Sequence, residues 1–271
     1  MTLRQDFSAA AASYDNAAVL AREVGRRMAT RLDLVRLSPR RFADIGCATG
    51  DGLRELARRY PAAVPFAVDW ALPMLRAVHA RAGVWSRLRG TAPRCVNADV
   101  RALPLASGSL DLVWSNLMLH WLADPRPAFA ELHRVLGAGG LLHFAALGPD
   151  TLKELRRLGA PVARFPDMHD LGDLLVAAGF ADPVMEMEML TLVYPAPRAF
   201  LADQRRLGVR DALLGRLPWR QWRALFAAWP REAAGLPARF EIVYGHAWKT
   251  AAKGADGRAP IRWHMRAPES A

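Results

Sequence analysis

The sequence predicts an α/β fold: a doubly wound, mostly parallel sheet with helices on both faces. Three observations carry this. Short apolar runs alternate with helical stretches from residue 41 onward. A glycine-containing turn, residues 46–52, separates the first run from the first helix. Asp69 and Asp99 stand at the ends of the next two runs, and doubly wound sheets bind ligands at the carboxyl ends of their strands.

In order, residues 3–37 are alanine-rich and read as two helices before the break at Ser38-Pro39. Strands follow at 42–45, 66–69, 94–97, 110–115 and 140–146. The helices between them fall at 53–59, at 73–81, where proline sits early in the first turn, and at 127–136, ending at Gly137. Residues 170–178 form a helix closed by Gly179, and 184–194 and 239–248 complete a seven-stranded sheet. An antiparallel final pair normally needs only a short turn. Here residues 195–237 intervene, helical in pattern and rich in arginine and tryptophan, and an insertion of that length reads as a lid or binding element. The expected organisation is one domain over 1–249: an N-terminal helical cap (1–40), a core (41–149), the lid (195–237), then a disordered tail (250–271).

Composition narrows the class. No stretch of about eighteen apolar residues suits a membrane span, and the N-terminus lacks the pattern of a secretory signal. Cys47 and Cys95 form no paired motif, so neither a disulfide framework nor a metal site is expected, and the cytoplasm is the default location. The formal charge is +11, yet only Lys153, Lys249 and Lys253 among the 37 basic residues are lysines. That bias reads either as a basic surface for a polyanion or as the mark of a GC-rich genome, and on both readings the field favours an acidic partner. No aromatic-interleaved basic stripe is present, so nucleic acid is not the expected partner.

The turn Asp44-Ile45-Gly46-Cys47-Ala48-Thr49-Gly50 lets a ligand approach the backbone and the helix N-terminus. Its acidic first residue would repel a pyrophosphate and attract an amino group. Asp69 is placed to hold a ribose diol, Asp99 to accept from an adenine amino group, and Ser115-Asn116 closes the fourth strand. Together these residues resemble the successive motifs of class I S-adenosylmethionine methyltransferases, with 98–100, 103–105 and 109–111 adding to the match. The resemblance implies a Rossmann-like fold, S-adenosyl-L-methionine as cofactor, and Asp44, Gly46, Cys47, Ala48, Gly50, Asp69, Trp70, Asp99, Val100, Ser115 and Asn116 as its contacts. Ala48 stands where that family usually has glycine.

A narrower resemblance runs over nearly the whole chain. Phe7, Tyr14-Asp15, Ser115-Asn116-Leu117, Trp121, residues 148–155, 167–180, Leu207-Gly208 and 244–249 are similar to the malonyl-[acyl-carrier protein] O-methyltransferases of biotin synthesis. That implies methylation of the free carboxylate of a malonyl thioester, on an acidic acyl-carrier protein. Such a carboxylate is ionised at neutral pH and needs no general base; it needs orientation in a dry site. The expected parts are therefore Tyr14 as a cover over the transfer site and an arginine fork holding the carboxylate, Arg205 first and Arg206 next. Arg210 and its neighbours in the insert are alternative docking residues for the carrier protein. His120, beside Trp121, reads as packing and Cys47 as a backbone contributor. Rival readings are a methyltransferase for a quinone-type acceptor, a complex I assembly factor associated with arginine hydroxylation, and a cofactor-binding module without turnover.

Overall fold

Strand β1 (Arg41–Ile45) is exposed at its first residue and buried at the next four, the signature of a strand covered on both faces. The computed structural model describes residues 2–83 and 92–250. Past Thr250 the expected tail lies outside the described residues. Around β1, helix α3 (Asp51–Arg59), β2 (Val64–Asp69), α4 (Leu72–Arg81), β3 (Arg94–Asn97), β4 (Leu110–Asn116), α5 (Arg126–Val135) and β5 (Leu136–Leu147) alternate as expected. The sheet order is β3-β2-β1-β4-β5-β7-β6, with β6 (Ala181–Tyr194) and β7 (Leu236–Lys249) at one edge. Strands β1 to β5 run parallel, and β7 runs antiparallel between β5 and β6. Alternate side chains feed two cores, Phe42, Leu112 and Trp114 entering one while Ala43, Val113 and Leu142 enter the other.

Boundaries differ locally, for identifiable reasons. The helix expected over 127–136 yields directly to β5, because Leu136 already pairs with Leu110. Strand β6 begins three residues earlier than expected, across a register shift between Ala181 and Val184. Asp182 there has a φ of 49°, and Pro183 has no N–H to give to the ladder.

Helix α1 (Leu3–Ala10) is capped by Thr2, whose side chain accepts from the Gln5 N–H. Helix α2 (Val19–Arg31) buries Val24 and Met28 against the sheet. The same face carries Arg27, paired with Glu188 of β6, and Arg31, whose guanidinium lies 3.8 Å above the Tyr244 ring centre on β7. The insertion between β6 and β7 consists of α8 (Pro197–Arg206), α9 (Arg210–Leu214) and α10 (Trp219–Ala228), after α6 (Lys153–Arg157) and α7 (Met168–Ala177). Phe200 anchors α8, fully buried between Tyr194 and Trp229 at ring separations of 5.3 and 5.2 Å. Truncating such a core aromatic costs about 3–5 kcal/mol.

Two sequence motifs find structural employment here. Lys249 donates to the carbonyls of His133 and Leu136, at 2.7 and 2.8 Å, closing the end of α5. Residues 148–151 are tied to β7 through Glu241, whose carboxylate accepts the Asp150 N–H at 2.6 Å while its carbonyl accepts that of Gly148 at 2.9 Å. This fixes the carboxyl end of β5.

Candidate active site

At the carboxyl ends of β1, β2 and β4 the turn after β1 folds over the sheet. Gly46 and Gly50 have φ of 74° and 89°, a region L side chains rarely adopt. A β-carbon on Gly46 would lie 2.4 Å from Met118. Ala48 also has a positive φ, 45°, which explains in backbone terms why a glycine is expected there. Its strain is offset by its N–H, which donates to the Asp69 carboxylate at 3.0 Å. The other Asp69 oxygen accepts the Ala71 N–H at 2.8 Å.

Asp44 and Asp69 are both buried, at 2% and 8% exposure, and neither forms an ion pair among the described residues. Burial first, then the charge of Asp69, pushes the Asp44 carboxyl up to about 8. Burial also raises Asp69, against the N–H groups of Ala71, Ala48 and Trp70 that favour its charged form. Asn116, at the end of β4, donates to the Ala21 carbonyl at 2.8 Å, and its buried side-chain oxygen has no partner. The floor thus holds two buried carboxyl groups and an unpartnered carbonyl oxygen, a set of acceptors suited to a cation.

Three cavities meet at Tyr14, which lies in a turn (Tyr14–Asn16) between α1 and α2. The first is lined by Asp69, Trp70, Asp99 and Val100 with Gly46 and Ala48. The second reaches Asp44, Gly46, Cys47, Thr49 and Asn116. The third, about 70 Å³, lies under the helical insertion and is lined by Phe7, Leu117, Trp121, Leu147 and Leu213, with His120 and Gln204 as its polar residues beside Tyr14. Among the described residues no charged one lines it. Burial, and then the nearby acids led by Asp69, holds the Tyr14 hydroxyl neutral by pushing its titration far above the ordinary range.

The structure thus brings Tyr14, Asp44, Gly46, Cys47, Ala48, Asp69, Trp70, Asp99, Val100 and Asn116 to adjoining cavities. Gly50 closes the turn as the N-cap of α3. Asp99 spends both oxygens on Arg101. Ser115 is not at the cavity surface: it is fully buried, and its hydroxyl donates to the Ile45 carbonyl at 3.0 Å, joining β4 to β1. Cys47 is buried, and burial first of all raises its thiol well above the usual value, which leaves it no nucleophilic role.

Arg205 and Arg206 are not brought to the third cavity. Both are exposed; Arg206 pairs with Asp203 at 3.2 Å, and Arg205 lines a separate outer groove with Arg210, Arg216 and Trp219. The reason is helical phase. Phe200 and Gln204, four residues apart, share the inward face of α8, and each further residue turns by about 100°. Gln204 was missed by the sequence reading although this spacing signals it, and His120 was set aside as packing.

Residues 43–144 match a methyltransferase domain family. The YcgJ protein of Bacillus subtilis superposes with a TM-score of 0.61 at 15% identity, over 84% of this chain and 99% of its own. A phosphoethanolamine N-methyltransferase of Haemonchus contortus, solved with S-adenosyl-L-methionine, gives a TM-score of 0.53 at 16% identity, over 83% and 52%. Fold and site define a class I S-adenosylmethionine-dependent methyltransferase. Among curated proteins, the malonyl-[acyl-carrier protein] O-methyltransferases of Laribacter hongkongensis and Gallionella capsiferriformans are 49% and 47% identical, spanning 98% and 96% of this chain and 96% and 94% of their own. The chain belongs to the malonyl-[acyl-carrier protein] O-methyltransferase family.

Proposed function

We propose that the protein methylates the free carboxylate of a malonyl group carried by acyl-carrier protein, giving the methyl ester that primes pimeloyl synthesis for biotin, and does so in the cytoplasm. The observation that carries this reading is the junction at Tyr14 of a carboxylate-floored cavity with a small uncharged one. Near-full-length likeness to the two relatives supports the choice of acceptor.

The chain's own groups fit S-adenosylmethionine. In this reading Asp44 and the free Asn116 oxygen receive its ammonium, and the Gly46–Gly50 turn with Cys47 and Ala48 passes along its methionine part. Asp69, with Trp70, holds the ribose, while Asp99 and Val100 border the adenine. Bound there, the cofactor supplies an electrophilic methyl: a carboxylate oxygen forms the C–O bond as the S–C bond breaks with its electron pair on sulfur, and no proton moves. The protein supplies alignment and dryness. Tyr14 shuts the junction to water, and Phe7, Leu117 and Trp121 wall it with apolar surface.

The outer groove, about 490 Å³, is lined by Arg205, Arg210, Arg216, Trp219 and Trp222 with Asp211 between them, and its net positive charge suits the acidic surface of the carrier. Among the described residues no helix is long and apolar enough to cross a membrane. The test is mass spectrometry of malonyl-carrier protein incubated with the purified chain and S-adenosylmethionine. One added methyl on the acyl group, absent when acetyl replaces malonyl, is the expected result; no methylation despite cofactor binding would sink the reading.

A further inference from the structure

The third cavity has no cation to receive a carboxylate, yet two of its buried side chains carry unused donors. His120 is 8% exposed, its ring 4.6 Å from that of Trp121 and 5.2 Å from that of Phe165. The Leu147 N–H donates to its Nδ1 at 3.2 Å, so the proton of the neutral ring is assigned to Nε2. Nε2 is fully buried and has no partner among the described residues. A buried donor left in this state carries a desolvation penalty that no bond offsets. The end of β5 that supplies Leu147 is pinned by Glu241, so the ring's orientation is built in. Gln204 is 3% exposed, and its side-chain amide makes no hydrogen bond among the described residues. It stands on the inward face of α8, beside the same cavity.

We propose that His120 Nε2–H and the Gln204 amide are the ligands of the acceptor carboxylate, a pair of neutral donors in place of an arginine. This rests on the carboxylate-methylating reading above. The choice of neutral donors follows from the charge change of the reaction. A carboxylate is anionic before transfer and an uncharged ester after it. A guanidinium would stabilise the starting anion more than the partly neutralised transition state, and so would raise the barrier. Neutral N–H groups orient the carboxylate while leaving more of its charge on the attacking oxygen. Burial depresses His120 to about 3, so the ring stays uncharged at working pH and cannot become such a cation.

The experiment compares wild type with His120→Phe, His120→Gln and Gln204→Leu. Wild type must first methylate malonyl-carrier protein, and failure there refutes the underlying reading rather than the donor assignment alone. Given that activity, His120→Phe and Gln204→Leu are each expected to lower kcat/KM for malonyl-carrier protein about 10- to 100-fold, the loss of a hydrogen bond to a charged group. Affinity for S-adenosylhomocysteine by calorimetry should not change, and His120→Gln, which keeps an N–H, should recover most of the rate. Unchanged kcat/KM in both donor-less variants, or a parallel fall in S-adenosylhomocysteine affinity, would overturn the assignment. Should His120→Phe fail to fold, the wild-type enzyme with S-adenosylhomocysteine and nitrogen-15 histidine decides. Malonyl-carrier protein should shift the His120 Nε2 resonance where acetyl-carrier protein does not, and equal spectra with both refute the pair.

Discussion

The hydroxyl of Thr49 donates to the carboxylate of Asp15 at 2.5 Å, joining the turn after β1 to the residue that follows Tyr14. Arg81 pairs with the same carboxylate and donates to the Thr49 carbonyl at 2.7 Å. Burial alone would raise Asp15, but these two partners outweigh it and hold the group below the ordinary carboxylate range. The Tyr14 turn, which borders the cavities, is thus tied to the turn after β1 by a charged, partly buried bond. Asp15→Ala should weaken cofactor binding about tenfold, as expected for one bond of this kind. Titration calorimetry with S-adenosylhomocysteine measures it, and an unaltered affinity would remove the tie from the binding machinery.

Asp44 gives a pH signature. Its folded pKa of about 8 lies above the ordinary carboxylate value of about 4. The folded chain therefore keeps a proton that the unfolded chain releases, and this contribution to stability is lost as pH rises from about 4 through about 8. The Tm of the ligand-free wild type, relative to Asp44→Asn, should fall across that window. Cofactor affinity should move the other way, strengthening towards pH 8 as the carboxylate that meets the ammonium ionises. Parallel Tm profiles for the two proteins would contradict the shift.

Asp69 spends one lone pair of each oxygen on Ala48 and Ala71, leaving others free towards the cavity. Asp69→Ala removes a ribose acceptor and releases the strained Ala48 turn. Affinity for S-adenosylmethionine should fall about 10- to 100-fold. Wild-type affinity in this variant would exclude the ribose assignment.

The outer groove should respond to charge and not to chemistry. Arg205→Glu combined with Arg216→Glu is expected to raise KM for malonyl-carrier protein, most strongly at low salt, with KM for S-adenosylmethionine unchanged. Steady-state kinetics at two ionic strengths measure this. A salt-independent loss of kcat would return Arg205 to the reacting carboxylate.

The sheet was legible because period and punctuation agree: Asp69 closes β2, Gly50 opens α3, and the acids at strand ends line the cavity. Ser115 was legible as a strand end but not as a lining residue, because one residue of strand register separates the hydroxyl that ties β4 to β1 from the Asn116 side chain beside the cavity. The insertion between β6 and β7 was readable as helices but not in phase. Attention to charge selected Arg205, while burial selects its neighbour Gln204, a residue with no charge to attract notice. His120 is a second case. Packing against Trp121 is real, yet the same ring also has one nitrogen satisfied and the other bare, which only three-dimensional neighbours reveal.

Tyr14 borders all three cavities, so in the proposed reading the acyl pocket takes one of its walls from the N-terminal segment. This gives turnover a direction. The expected order of turnover is nucleoside first, acyl chain second and spent nucleoside last. Initial-velocity lines should intersect, S-adenosylhomocysteine should compete with S-adenosylmethionine but not with the carrier, and a bulky N-terminal fusion should slow every cycle at its opening step.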